Sequence, residues 1–99
     1  MKSVSVHGKI MIDEGASKAL QSHRSLLPVG VKFASGSFEA GDVVDIVCGT
    51  TVVARGSPDY GAEDINRIRG MRSDEAKAVL GAKMKHKDII SSENIALMP

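Results

Sequence analysis

The stretch from Ile10 to Val31 places the tightest demand on what this chain can become, because a strand, a short helix and a second strand must all fit inside it. Ile10 and Ile12 alternate with Lys9 and Met11, the two-residue period of a half-buried strand. Asp13 then stands where a helix N-cap is expected, and Glu14 adds negative charge at the positive end of the helix dipole. Ala16, Ala19 and Leu20 fall at helical spacing on one face, with Ser17, Lys18 and Gln21 on the other. So short a helix is marginal in water and must form by docking onto a sheet, which small alanines allow at close range. Leu26 and Leu27 are read as core residues. Pro28 stops further helix, and Gly30 permits a tight backbone before Val31 opens a strand.

The rest of the chain repeats this economy. Met1 to His7 reads as an extended lead-in with mobile first residues. Val31 and Phe33 alternate with Lys32 as a half-buried strand, Ser35-Gly36-Ser37 turns it, and Phe38 returns to the core. Glu39 to Asp42 makes a turn in which Gly41 supplies an unusual backbone angle and Asp42 caps local amides. Val43 to Val47 is the strongest strand, Gly49 reverses the chain, and Val52 to Gly56 comes back antiparallel. Pro58 and Gly61 break the chain ahead of a helix over Ala62–Ile68 with Ile65 and Ile68 inward. Ser73 is predicted to cap a further helix that turns Ala76, Val79 and Leu80 inward and ends at Gly81. Ile95 and Leu97 close the chain as a last strand.

Ninety-nine residues with 42% apolar content make one domain with one core. Phe33, Phe38 and Tyr60 are the aromatic residues and Trp is absent, so the core is aliphatic and platforms for stacking bases are scarce. A net charge of +1 neither demands nor excludes a nucleic-acid partner. Basic residues concentrate between Arg67 and Lys87, and a solvated face is the plain reading of such a run. One cysteine, Cys48, cannot form an internal disulfide. No apolar run approaches the roughly 20 residues of a membrane span. Met1 to Gly8 has no apolar signal segment, so a reducing cytoplasm is expected.

The sequence offers no catalytic constellation. His7, His23, His86 and Cys48 lack the paired spacing of metal ligands. No cluster of glycines opens a helix as a phosphate loop would. Asp42 and Asp45 lie three apart along a strand, which turns their carboxylates to opposite faces. No metal and no cofactor is expected.

Three segments carry a resemblance: Ile-Asp-x-Gly-Ala-x-x-Ala-Leu from Ile12, Ser-Leu-Leu-Pro-x-Gly-Val from Ser25, and Gly-x-Phe-x-x-Gly-Asp-Val-Val from Gly36. Together they resemble a PUA domain, and the Ser-Leu-Leu-Pro form is most similar to the C-terminal module of bacterial glutamate 5-kinases. The likeness runs from Gly8 to Leu97, so residues 1–99 are expected to be one PUA module, with 1–7 as a junction to an absent kinase domain.

The resemblance implies a mixed α/β, mainly β, PUA-like pseudo-barrel of about six strands with two or three short helices, the first helix covering an open end. It implies a non-catalytic accessory module, where an attached or partner kinase domain would phosphorylate glutamate with ATP in proline biosynthesis. Two other expectations stand beside it: a free module that binds structured RNA weakly by shape and phosphate contacts, and a structural or oligomerisation module. In RNA-binding members the docking surface is built from the first helix, the turn after it and the last strand. Carried onto this chain, that marks Lys18, Arg24, Ser25 and the segment Ile90 to Ile95, Asn94 included. Lys83, Lys85 and Lys87 are further candidates for phosphate contacts, with Arg67 and Arg69 before them. The chain departs from the family in two places. His23 stands where a glycine usually ends the first helix, so it must adopt a left-handed conformation or the helix must end differently. Ile90-Ser91-Ser92-Glu93-Asn94 replaces Ile-His-Arg-Asp-Asn, losing a basic pair.

Overall fold

The computed structural model describes residues 6–99, so the lead-in reading falls largely outside the described residues. A single five-stranded sheet organises them. Its strands are β1 (Gly8–Ile12), β2 (Val31–Gly36), β3 (Val44–Cys48), β4 (Thr51–Gly56) and β5 (Ile95–Leu97), in the spatial order β2-β1-β3-β4-β5. Only the β1–β3 pair is parallel, and the remaining neighbours run antiparallel. Three α-helices complete the fold among the described residues: α1 (Glu14–Gln21), α2 (Ala62–Ile68) and α3 (Ser73–Leu80). The result is mixed α/β and mainly sheet.

Among the described residues five strands stand where about six were expected. Leu26 and Ile90 form an isolated antiparallel bridge beyond them. That bridge cannot grow into a strand pair, because Pro28–Gly30 and Ser92–Asn94 both wind into 3₁₀ turns close beside it.

The core is aliphatic, as the composition requires. Ile10, Ile46, Ala54, Ile65, Ile68, Ala76, Ile89 and Ile90 are fully enclosed, with Phe38 and Leu26 among them. Two bulges decide which side chains enter it. Met11 pairs with Phe33 but Ile12 pairs with Val31, so Lys32 is an extra residue on β2. The predicted alternation therefore breaks there: Val31 and Ala34 are buried and Phe33 is 45% exposed. Likewise Ile46 faces Ala54 while Val47 faces Val52, leaving Val53 as the extra residue on β4.

Several other expectations need correction. α1 buries Ser17 with Leu20, while Ala19 is only half-buried, so the helix is rotated from the predicted face. Leu27 is exposed, because residues 26–30 alternate inward and outward instead of forming one core block. Arg72, not Ser73, is the N-cap of α3, and its backbone N–H donates to Glu75 Oε1 at 3.0 Å. Val79 is exposed, since the short α3 buries only the narrow stripe of Ala76 and Leu80. α2 matches its predicted bounds with Ile65 and Ile68 buried, and Gly81 ends α3 at φ 57°. The Glu39–Asp42 turn closes as read: the Glu39 N–H donates to Asp42 Oδ2 at 2.9 Å, and Gly41 has φ 91°.

Candidate functional site

Asp13 starts the candidate surface. Its Oδ1 accepts from the Ala16 N–H at 2.7 Å, capping α1, while its own N–H donates to the Gly30 carbonyl at 3.0 Å. The helix is thus tied to the 3₁₀ turn at Pro28–Gly30. A Cβ on Gly30 would lie 2.5 Å from Ala16 Cβ, so the two small residues permit an approach that no larger pair could make.

The far end of α1 resolves the question His23 raised. His23 takes φ 61°, its N–H donates to Leu20 O at 2.9 Å, and the Arg24 N–H donates to Ala19 O at 3.0 Å. These are the two crossed bonds of a Schellman cap, with histidine in the left-handed position where glycine is usual. A β-carbon there costs roughly 1–2 kcal/mol, which the cap bonds and the packing of Leu26 must offset.

Beyond the cap, the chain brings part of the predicted surface together. The Leu26 N–H donates to Ile90 O at 3.0 Å, and Ser25 Oγ accepts from the Ser92 N–H at 3.1 Å. Lys18 and Arg24 are exposed on α1 and just past its end. Asn94 is exposed, and its carbonyl accepts from the Ser57 N–H at 3.2 Å. So Lys18, Arg24 and Ser25 share one helix-and-turn unit, and Ser25 is joined directly to the segment that runs from Ile90 to Asn94.

Between α1 and the turn lies a groove of about 260 Å³, lined by Ala16, Ala19, Ser25, Leu27, Val29 and Gly30 among others. Leu27 and Val29 form its exposed apolar rim. The sequence reading missed both, though the inward–outward alternation of residues 26–30 was the signal that could have found them. The groove is small and mostly apolar. It offers no convergent titratable groups, and neither Lys18 nor Arg24 lines it: Lys18 borders a separate hollow with Glu14, Ser17, Gln21 and Cys48.

The other candidates lie elsewhere. Lys83 Nζ sits 3.6 Å from Asp64 Oδ1 of α2, in a polar cleft with Glu39 and Arg67. Arg67 also approaches Asp64, at 3.7 Å, and Arg69 donates to Lys32 O at 3.0 Å. Lys85 and Lys87 are exposed, and between them the backbone of His86 is fastened to the Tyr60 hydroxyl, which donates to His86 O at 2.6 Å and accepts from the His86 N–H at 3.1 Å. Among the described residues no group of three or more His, Cys, Asp or Glu side chains is arranged to hold a metal ion. No helix among them is long and apolar enough to cross a membrane.

The profile of the PUA domain matches residues 8–80. Glutamate 5-kinase of Methanosarcina mazei is 36% identical over 91 residues, which are 92% of this chain and 23% of that protein. Glutamate 5-kinase of Brucella anthropi is 44% identical over 86 residues, covering 82% of this chain and 23% of its own length. The chain therefore spans about a quarter of these relatives. Among solved structures, a PUA domain from Aeropyrum pernix K1 in complex with tartrate superposes with a TM-score of 0.59 at 23% identity, covering 86% of this chain and 41% of that one. A PUA domain protein from Thermoplasma acidophilum gives 0.52 at 18% identity, covering 83% and 46%.

Proposed function

Because this chain belongs to the PUA domain family, we propose that it is a single non-catalytic accessory module of the kind that glutamate 5-kinases carry in their C-terminal region. The observation that carries this reading is the shape of the match: nearly all of this chain aligns with about a quarter of a glutamate 5-kinase. The chemistry of the parent, transfer of phosphate from ATP to glutamate in proline biosynthesis, belongs to a kinase domain that this module would serve in the cytoplasm. Exchanging the matching quarter of the Methanosarcina mazei enzyme for this chain tests it. The chimera should keep glutamate-dependent ATP consumption within about tenfold of the parent, a loss of no more than about 1.4 kcal/mol in transition-state stabilisation. A folded but inactive chimera would contradict the reading.

A second reading, weak binding of structured RNA, is favoured by the junction of Ser25 with Ser92, next to exposed Arg24 in the chain, and by exposed Lys18 on the helix that precedes it. Those cations would meet phosphates, and the groove rimmed by Leu27 and Val29 would receive a sugar or a base edge. Lys83, Lys85, Lys87 and Asn94 would add contacts only where the RNA reaches past this unit. Binding should resemble non-specific contact, on the order of 10⁻⁴ to 10⁻⁶ M, and should weaken steeply with salt, because each phosphate contact releases counterions and that release gains less as salt rises. Fluorescence anisotropy with a structured RNA at two salt concentrations measures both quantities. Absence of binding even at low salt would remove this reading.

A further inference from the structure

The outer face of the sheet, opposite the core, carries two rows of side chains that the accessory-module reading does not use. Ile10, Ile46 and Ala54 point inward, so their neighbours along each strand point outward. By register, Phe33, Met11, Val47 and Val52 form one row across β2, β1, β3 and β4. Ser35, Lys9, Asp45 and Arg55 form the next row on the same face. Val47 is only 7% exposed, yet it is not part of the core cluster. By register it lies on the outer row between Met11 and Val52. Phe33 and Val52 remain open at 45% and 38%. Both bulges contribute to this arrangement, since Lys32 and Val53 are the extra residues that set Phe33 and Val52 on the outer row.

The charged row holds one ion pair and one lysine outside it. Asp45 Oδ1 accepts from Arg55 Nε at 2.8 Å, while Lys9, exposed beside Asp45, has no ion pair within 4.0 Å among the described residues.

We propose that this face binds a second copy of the chain through a two-fold axis lying between the sheets, parallel to the strands and between β1 and β3. Such an axis sets β1 of one copy over β3 of the other and β2 over β4, while keeping each residue's height along its strand. Met11 then stands over Val47 of the second copy, and the open Phe33 packs on its Val52, so the exposed ends of the apolar row carry the contact. Lys9 stands over Asp45 of the second copy, and the reverse contact forms by symmetry, as an isologous interface requires. The same patch is thus self-complementary in both shape class and charge. Aligned face-to-face packing tolerates a rotation of about 30°, and strands next to the axis are displaced least by it. One apolar row is a small interface, which places the dimer at the weak, reversible end of the range.

Sedimentation equilibrium of the purified chain, from about 10 μM to about 1 mM, should show a monomer–dimer equilibrium. Lys9→Glu, which sets a carboxylate over Asp45, should raise the dimer Kd by about tenfold or more, and so should the double variant Asp45→Lys with Arg55→Glu. That double variant keeps an internal ion pair of reversed polarity. Mixing the two variants should restore a heterodimer, because every contact across the axis is then again between opposite charges. Phe33→Lys, at an exposed position, should also abolish association and does not depend on the charged row. Circular dichroism establishes that each variant is folded. A chain that stays monomeric throughout, a dimer indifferent to both Lys9→Glu and Phe33→Lys, or folded charge variants that fail to pair would each overturn the proposal.

Discussion

Gly30→Ala is expected to destabilise the fold by about 2–3 kcal/mol, although it adds a single methyl group. The new Cβ would sit 2.5 Å from Ala16 Cβ, where neither side can yield without moving α1 off the turn. That movement would also loosen the bond from the Asp13 N–H to Gly30 O, which fixes the start of the helix. The explanation has a specific check. In the double variant Gly30→Ala with Ala16→Gly the close contact is gone, and only the lower helix propensity of glycine, about 1 kcal/mol, remains to be offset. The double variant should therefore be more stable than Gly30→Ala alone in denaturant unfolding. Additive losses would show that the helix does not press on the turn as described.

The second large effect is at the edge of the sheet. β2 is a terminal strand, and its outward backbone groups would be open to pairing with another chain. The side chain of Asn66 in α2 closes that edge: Oδ1 accepts from the Ala34 N–H at 2.7 Å and Nδ2 donates to Ala34 O at 2.8 Å. The amide thus imitates a neighbouring strand for one residue. Asn66→Ala should cost about 2–3 kcal/mol, since two backbone groups lose their partners together. Asn66→Asp keeps the acceptor for Ala34 N–H but sets a carboxylate against Ala34 O, so it should rescue little. Both are read from the midpoint of chemical denaturation, and a midpoint unchanged in Asn66→Ala would mean that water replaces the amide without loss.

Particular residues show why some of this was legible from the sequence and some was not. Asp13 announced the start of α1, and the spacing of Ile65 and Ile68 gave the buried face of α2, because caps and helical periodicity are local. The exposure of Phe33 was not legible. A bulge depends on what the neighbouring strand presents, and one extra residue at Lys32 reverses the outlook of everything after it. Asn66 was invisible for a related reason, since a polar residue on a short helix gives no sign that a strand edge lies beside it. Leu27 misled because two leucines in a row, Leu26 and Leu27, read as core, whereas the turn that follows alternates residues 26–30 inward and outward. At the candidate site, the left-handed His23 was one of the two outcomes its place after the helix left open, but the apolar rim of Leu27 and Val29 was not foreseen. The joining of Ser25 to Ser92 brings together residues far apart in the chain, and only the segment's expected place in the fold hinted at it.

Titration of ATP into the purified chain, with glutamate present and heat recorded by calorimetry, tests the central claim most directly. A module that depends on another domain for its chemistry should give no binding heat up to about 1 mM nucleotide and should release no ADP, whereas a micromolar Kd for ATP would contradict the account.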